Sequence, residues 1–198
     1  MKKIILSSML LAFVMLSCNQ KNKEDKISET PVAVKIDAGD TKVEIAEVNA
    51  DVKASVSTDA IIDAYLKIKN ALANDKGKEA TAAANDFAKA VAETKTDKIS
   101  KELLTKYSNI TDDAKAQAAL IVSNYGKIDQ QRMYFAVLSK DITNLIATFG
   151  TNKKLFQDYC PMYNEGKSGY WISEMKAIRN PYYGSEMLEC GGMIKEIK

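Results

Sequence analysis

The sequence predicts an all-α protein, an up-down four-helix bundle with an irregular C-terminal lobe rich in aromatic residues, cysteine and methionine. Two observations predict this fold. Between residues 58 and 150, apolar side chains recur every three or four positions, as they do on one face of a helix. After Gly150 no helical stripe is longer than two turns, and glycine, proline and aromatic residues become frequent. The 198 residues suit one domain with a tail.

The N-terminus has the pattern of a bacterial secretion signal. Lys2 and Lys3 precede an apolar run over residues 4–16, which is shorter than the roughly 20 residues that a membrane span needs. The run ends in Leu-Ser-Cys at Cys18, which resembles the lipobox, the motif in which the cysteine receives a lipid. We therefore expect residues 1–17 to be a lipoprotein signal peptide and Cys18 to be the lipidation site.

The segment that follows is polar and contains no aromatic residue. This composition predicts a flexible tether over residues 18–56, which would hold the folded domain away from the membrane. The expected location is the cell envelope, with the chain anchored by lipid to the outer membrane and the domain facing the periplasm.

The first predicted helix begins at Thr58, a suitable N-cap, and breaks at residues 74–77. Its apolar stripe consists of Ile61, Tyr65, Ile68 and Leu72. The second predicted helix covers residues 78–93 and is rich in alanine, which lets a neighbouring helix approach closely.

Residues 100–108 are predicted as a short helix or a connector, so that the third long helix begins at Thr111 and stops at Gly126. The fourth has the clearest pattern, closing at Gly150 after Phe135, Leu138, Ile142, Leu145 and Phe149. Short connections favour antiparallel neighbours. The predicted domain covers residues 57–198, and its lobe covers residues 155–198.

Composition excludes several classes of function. The chain has no histidine, which removes Ser-His-Asp and Cys-His catalysis and every histidine-ligated metal site. Without the two lysines of the signal, basic and acidic residues balance, whereas a nucleic-acid-binding protein needs a basic face. We therefore expect neither an enzyme nor a partner of nucleic acid.

The lobe contains the residues that favour a chemical function. Cys160 precedes Pro161, which pushes it towards an extended conformation in which Cys160 and Met162 share one face. Met187 and Cys190 are three residues apart, the spacing of one helical turn. Two thiolates with one or two thioethers form a soft ligand set that selects Cu(I), or Ag(I) in its place, over harder ions.

A disulfide between Cys160 and Cys190 remains an open alternative. Two cysteines in an oxidising compartment commonly pair, and closing this loop would stabilise the fold by roughly 3–4 kcal/mol. Trp171 is a candidate lid over a bound cation, although a lone tryptophan is more often a core residue.

Several motifs of the lobe together resemble a known family. It is an uncharacterised periplasmic domain family of Bacteroidetes and related bacteria, found in lipoproteins and fused to the C-terminus of copper/silver-type heavy-metal efflux adaptor (membrane-fusion) proteins. The resemblance covers about residues 58–198 and is carried by Tyr159-Cys160-Pro161-Met162, Gly169-x-Trp171-x-Ser173, Ile178-x-Asn180-Pro181-Tyr182-Tyr183-Gly184 and Met187-x-x-Cys190-Gly191.

The resemblance implies that the Cys-Pro-Met and Met-x-x-Cys-Gly elements are the metal-holding parts, which here are Cys160, Met162, Met187 and Cys190. It also implies an efflux adaptor, or another envelope protein, as the partner. The chain lacks the hairpin and barrel domains of such adaptors. Two functions are therefore expected: a lipoprotein that binds Cu(I) or Ag(I) for buffering or delivery to efflux, or a metal-free, disulfide-stapled protein-interaction module.

Overall fold

The computed structural model describes residues 45–197, and the predicted signal peptide, Cys18 and the tether up to residue 44 lie outside these residues. The described chain is mostly helical and ends in a small antiparallel sheet. Its elements are α1 (Ala50–Ser55), α2 (Asp59–Ala73), α3 (Gly77–Glu93), α4 (Lys101–Ser123), α5 (Ile128–Phe149), β1 (Leu155–Cys160), α6 (Tyr163–Gly166), β2 (Gly169–Ser173), a 3-10 turn (Gly184–Glu186) and β3 (Gly192–Ile197).

Ordered structure begins before residue 57, inside the range predicted as a tether. Helix α1 is capped by Asn49, whose side chain accepts a hydrogen bond from the Asp51 amide. Val56 is buried in the core, and the Thr58 hydroxyl donates to the carbonyl of Gly150, 2.9 Å away at the end of α5. The Ile45 carbonyl also accepts a hydrogen bond from Lys195 Nζ at 2.6 Å, so the described residues of the predicted tether contact the folded domain.

The long helices follow the predicted stripes, with one correction. The predicted break between residues 100–108 and a third helix at Thr111 is wrong, because α4 runs without interruption from Lys101 and is capped by Ser100. Thr111 imitates an N-cap in the sequence, but its hydroxyl donates to the Tyr107 carbonyl 2.9 Å away, within the helix. Buried residues repeat at spacings of four and three from Tyr107 to Ile121, across the position of the predicted break.

Consecutive long helices pack against one another, and α2 also contacts α5. Aromatic side chains fill the space between them. Tyr65 of α2 stacks on Phe135 of α5 with ring centroids 5.2 Å apart, and Tyr107 of α4 meets Phe149 edge-on at 5.7 Å. No helix within residues 45–197 is long and apolar enough to cross a membrane.

The prediction of an all-α fold with an irregular lobe is wrong for the last forty or so residues, because three strands form a sheet there. Strand β1 is central and pairs antiparallel with β2 and with β3. Almost every residue of β1 is buried, on both faces, so the strand lacks the alternation by which a half-exposed strand is recognised. The register against β3 also shifts between Gln157 and Asp158.

Asp141 on α5 leads to a prediction about pH. Burial, reinforced by the charge of Asp113 on α4, raises the pKa of Asp141 to about 7, although Lys140 acts to lower it. The unfolded chain ionises this group near pH 4, so its ionisation costs folding free energy as the pH rises from about 4 to about 7. We expect Asp141→Asn to raise the free energy of unfolding by about 1–2 kcal/mol at pH 8 and to change it little at pH 4. Urea unfolding at both pH values measures this, and an equal effect at the two would contradict it.

Candidate functional site

The two cysteines of the lobe meet. The Sγ atoms of Cys160 and Cys190 are 3.7 Å apart, although thirty residues separate them in sequence. Cys160 ends β1 and is fully buried, whereas Cys190 is partly exposed, and both are free thiols. The sheet explains the encounter, because Tyr159 pairs with Gly192 in the antiparallel β1–β3 ladder. Cys160, just beyond this pair on β1, therefore neighbours the segment that leads into β3 and carries Cys190.

Gly191 allows the Cys190 segment to cross β1 closely. Its φ of +141° is unfavourable for residues with a side chain, and a Cβ at this position would overlap the Tyr159 carbonyl oxygen. The same Cβ would lie 3.2 Å from the ring of Trp171. The backbone next to Cys190 is thus pressed against both β1 and the tryptophan.

The two predicted thioether ligands lie at the surface. Met162 follows Pro161 with φ −85° and ψ −13°, so the extended conformation of Cys160 does not continue to Met162, and its side chain is 55% exposed. Met187 is 40% exposed, and its carbonyl accepts a hydrogen bond from the Cys190 amide 3.0 Å away, which closes a turn. The structure brings the thiols together and leaves both methionines facing solvent.

Trp171, the candidate lid, occupies a core position. It has no exposed surface, and its ring meets that of Tyr182 edge-on with centroids 5.7 Å apart. Its Nε1 has no hydrogen-bond partner among the described residues. Trp171 therefore supports the lobe from within, beneath Gly191.

The surroundings of Cys190 favour the protonated form of its thiol. The hydrogen bond with Cys160, followed by burial, raises the pKa of Cys190, and no cation is among the groups that perturb it. Burial also raises the pKa of Tyr183, with a further contribution from the two cysteines. The Cys190 thiol therefore keeps its proton at neutral pH until a metal ion or an oxidant displaces it.

The donor set restricts which metal the site can hold. Within residues 45–197, no three residues of the types His, Cys, Asp and Glu are grouped so as to hold a metal ion, so the described chain has no closed zinc site of four such ligands. Two sulfurs bound about 2.3 Å from one ion at a tetrahedral angle lie about 3.8 Å apart. The observed 3.7 Å is a hydrogen-bonding contact between two thiols, and it lets both sulfurs reach one ion with a small movement. A disulfide needs the sulfurs about 1.7 Å closer.

The sequence did not reveal a second polar cluster, where α2 meets the sheet. Lys69 is fully buried, with its Nζ 2.8 Å from Glu174 Oε2 and 3.3 Å from Ser173 Oγ. Asp158 of β1 is also fully buried, and neither carboxylate oxygen has a hydrogen-bond partner among the described residues. Lys69 lies four residues after Tyr65 and three before Leu72, on the apolar stripe of α2, and this position was the available signal.

Burial and charge act in opposite directions in this cluster. Burial raises the pKa of Asp158 to about 7, although the charge of Lys69 lowers it. Burial lowers the pKa of Lys69, and Glu174 opposes that shift. Burial alone would raise the pKa of Glu174, but hydrogen bonds from Lys69 and Asn70, with the Lys69 charge, bring it below its usual value. The ion pair therefore ties α2 to the end of β2.

One family model matches the helical part of the chain. Residues 61–154 match the model of a domain described as a protein of unknown function, DUF3347. The match runs from α2 to the start of β1, so the lobe with its two cysteines lies beyond it. Searches of curated proteins and of solved structures found no match to this chain.

Proposed function

We propose that this protein binds a soft monovalent ion, Cu(I) or Ag(I), through the thiolates of Cys160 and Cys190. The observation that carries the proposal is the separation of 3.7 Å between their sulfurs, with Cys160 buried and Cys190 partly exposed. The ion would enter from the Cys190 side and displace both thiol protons to water. Soft thiolates prefer such ions to magnesium, calcium or other hard cations.

The exposed methionines fit the entry side of such a site. The Met187 carbonyl accepts from the Cys190 amide, and the Tyr183 hydroxyl donates to the Met162 carbonyl 3.0 Å away, which joins the Met162 turn to the segment that leads to Cys190. A thioether needs no deprotonation, so Met162 and Met187 would capture the ion first and pass it to the thiolates. Exchange between the two ligand types would also let the ion leave.

The rest of the proposal concerns the setting of the site. The helices α2–α5 would form an up-down four-helix bundle, supported by the contacts between consecutive helices and between α2 and α5. Cys18 would anchor the chain by lipid to the outer membrane, facing the periplasm. There the protein would be a carrier rather than an enzyme, buffering the ion or delivering it to a heavy-metal efflux adaptor. The resemblance of the lobe motifs supports this setting.

A Cu(I) competition titration tests the binding. The full chain with Cys18→Ser, kept reduced in mild detergent, has Cys160 and Cys190 as its only thiols. We expect one Cu(I) per chain, lost in the Cys160→Ser, Cys190→Ser double variant. Met162→Leu and Met187→Leu should each weaken binding several-fold, whereas Met193→Leu, an equally exposed methionine of the lobe, should not. Unchanged stoichiometry in the double serine variant would refute the proposal.

A disulfide-stapled interaction module is the second candidate. The complete burial of Cys160 and the outward position of both methionines favour it. In this function the oxidised pair would hold the β1–β3 end of the lobe closed, and the aromatic lobe would dock on an envelope protein. Alkylation in denaturant of the protein from its native compartment, followed by intact mass, distinguishes the two, since the denaturant also exposes the buried Cys160. Without a reductant a stapled chain takes up no label at these cysteines, whereas a dithiol takes up two.

A further inference from the structure

Asn180 uses every polar group it has within the lobe. It is fully buried, and its backbone amide donates to the Leu188 carbonyl at 2.7 Å. Its side-chain Nδ2 donates to the Cys190 carbonyl at 2.9 Å. Its Oδ1 accepts from the Tyr182 amide at 2.9 Å, and its own carbonyl accepts from the Gly184 amide at 3.1 Å. Two of these four hydrogen bonds fasten the segment that carries Cys190.

The residue after Asn180 is itself fixed to the helices. The Pro181 carbonyl accepts a hydrogen bond from Arg132 Nε, 3.1 Å away on α5. The same guanidinium donates to the Leu72 carbonyl at 3.1 Å and to Asp75 Oδ1 at 2.6 Å, at the end of α2. The backbone next to Asn180 is therefore held by the buried Arg132 of α5. Asn180 in turn holds the segment that carries Cys190.

We propose that Asn180 is a positioning residue that sets the separation of the two thiols. Cys160 is fixed by β1, whereas Cys190 lies outside the strands, between the 3-10 turn and β3. The amide of Asn180 reaches ten residues ahead to the Cys190 backbone and holds it at the end of β1. This inference rests on the proposed role of the cysteine pair, and it assigns to Asn180 the closeness on which both metal bridging and disulfide formation depend.

The equilibrium between the dithiol and the disulfide in glutathione buffers tests this role without any metal. Glutathione disulfide oxidises the pair, forming the Cys160–Cys190 bond and releasing two molecules of reduced glutathione, so the equilibrium constant measures how well the thiols are held together. In the full chain with Cys18→Ser, we expect Asn180→Ala to lower this constant about tenfold. Asn180→Asp keeps the shape and the Oδ1 acceptor but loses the donor to Cys190, and it should lower the constant similarly.

Asn74→Ala is the matched control. Asn74 accepts a hydrogen bond from Arg179 at 2.7 Å, so it also joins α2 to the lobe, and its other hydrogen bonds stay within α2. Its removal should leave the equilibrium constant unchanged. An unchanged constant in folded Asn180→Ala or Asn180→Asp would overturn the proposal, as would a wild-type pair that glutathione disulfide cannot close. If the wild-type pair forms the disulfide with glutathione disulfide but the reduced protein binds no Cu(I), the metal function alone is refuted.

Discussion

Lys69→Met should lower the free energy of unfolding by about 3 kcal/mol at pH 8. The substitution keeps an unbranched side chain, one atom shorter, but removes the cation, which leaves Glu174 without its ion-pair partner and Asp158 without a nearby positive charge in the protein interior. Breaking a buried ion pair from one side costs about 3–5 kcal/mol, and the partial exposure of Glu174 places this case at the lower end.

The loss should be smaller at pH 5. The pKa of Asp158 is already about 7 with Lys69 present, and it rises further when that cation is removed. Asp158 is therefore protonated at pH 5 in both proteins and needs no counter-charge, whereas at pH 8 its ionisation in the variant costs additional free energy. Urea unfolding at both pH values, followed by the fluorescence of the single tryptophan, measures the difference.

Lys67→Met on the same helix is the control. The side chain of Lys67 is 65% exposed, and its Nζ is 3.9 Å from Asp86, so this substitution should change the free energy of unfolding by less than about 0.5 kcal/mol. If Lys69→Met lowered the free energy of unfolding at pH 8 no more than Lys67→Met, the buried ion pair would not contribute to stability.

The second large effect is expected at Trp171. Trp171→Ala would leave a cavity at the centre of the lobe, beside Tyr182 and beneath Gly191, and large-to-small substitutions of this kind cost about 3–5 kcal/mol. Trp171→Phe retains an aromatic ring and should cost roughly half as much. Chemical denaturation followed by circular dichroism measures both variants, since neither retains the fluorescent residue.

Tyr125→Ala provides the comparison for Trp171→Ala. Tyr125 is an exposed aromatic residue after α4, with Lys78 over its ring at 6.0 Å, and its removal should cost less than about 1 kcal/mol. A Trp171→Ala variant as stable as Tyr125→Ala would mean that the lobe core rearranges freely around the missing ring. Slower closure of the cysteine pair is also expected in Trp171→Ala, because the Cys190–Gly191 segment rests on that side chain.

The helices were predictable because each buries one face, and that face repeats with the period of a helix. In α5 the stripe of large apolar residues predicted both the helix and its end at Gly150. The start of α4 was not predictable in this way, because Thr111 and the two aspartates after it imitate an N-cap in the middle of a helix. The buried strand β1 carries no alternation, so its pairing with β3 was invisible in the sequence.

The meeting of Cys160 and Cys190 was predictable from their number and their shared lobe, whereas the means by which they meet was not. Asn180 holds the Cys190 segment through hydrogen bonds to backbone groups, and the types of residue in the sequence do not predict such bonds. The surface position of Met162 depends on the turn at Pro161, where the chain leaves β1. The buried position of Lys69 had a signal in the stripe of α2, but its partner Glu174 lies about a hundred residues away.

The ties between Lys69 and Glu174 and between Arg132 and Pro181 bear on how this protein can be dissected. Both cations belong to the helices that match the family model, and both partners belong to the lobe beyond residue 154. A fragment truncated at that boundary would leave Lys69 without Glu174 and Arg132 without the Pro181 carbonyl, on a surface that the lobe normally covers. The helices expressed alone should therefore be insoluble or only partly folded. A chimeric protein that contains this domain must include the helices and the lobe together.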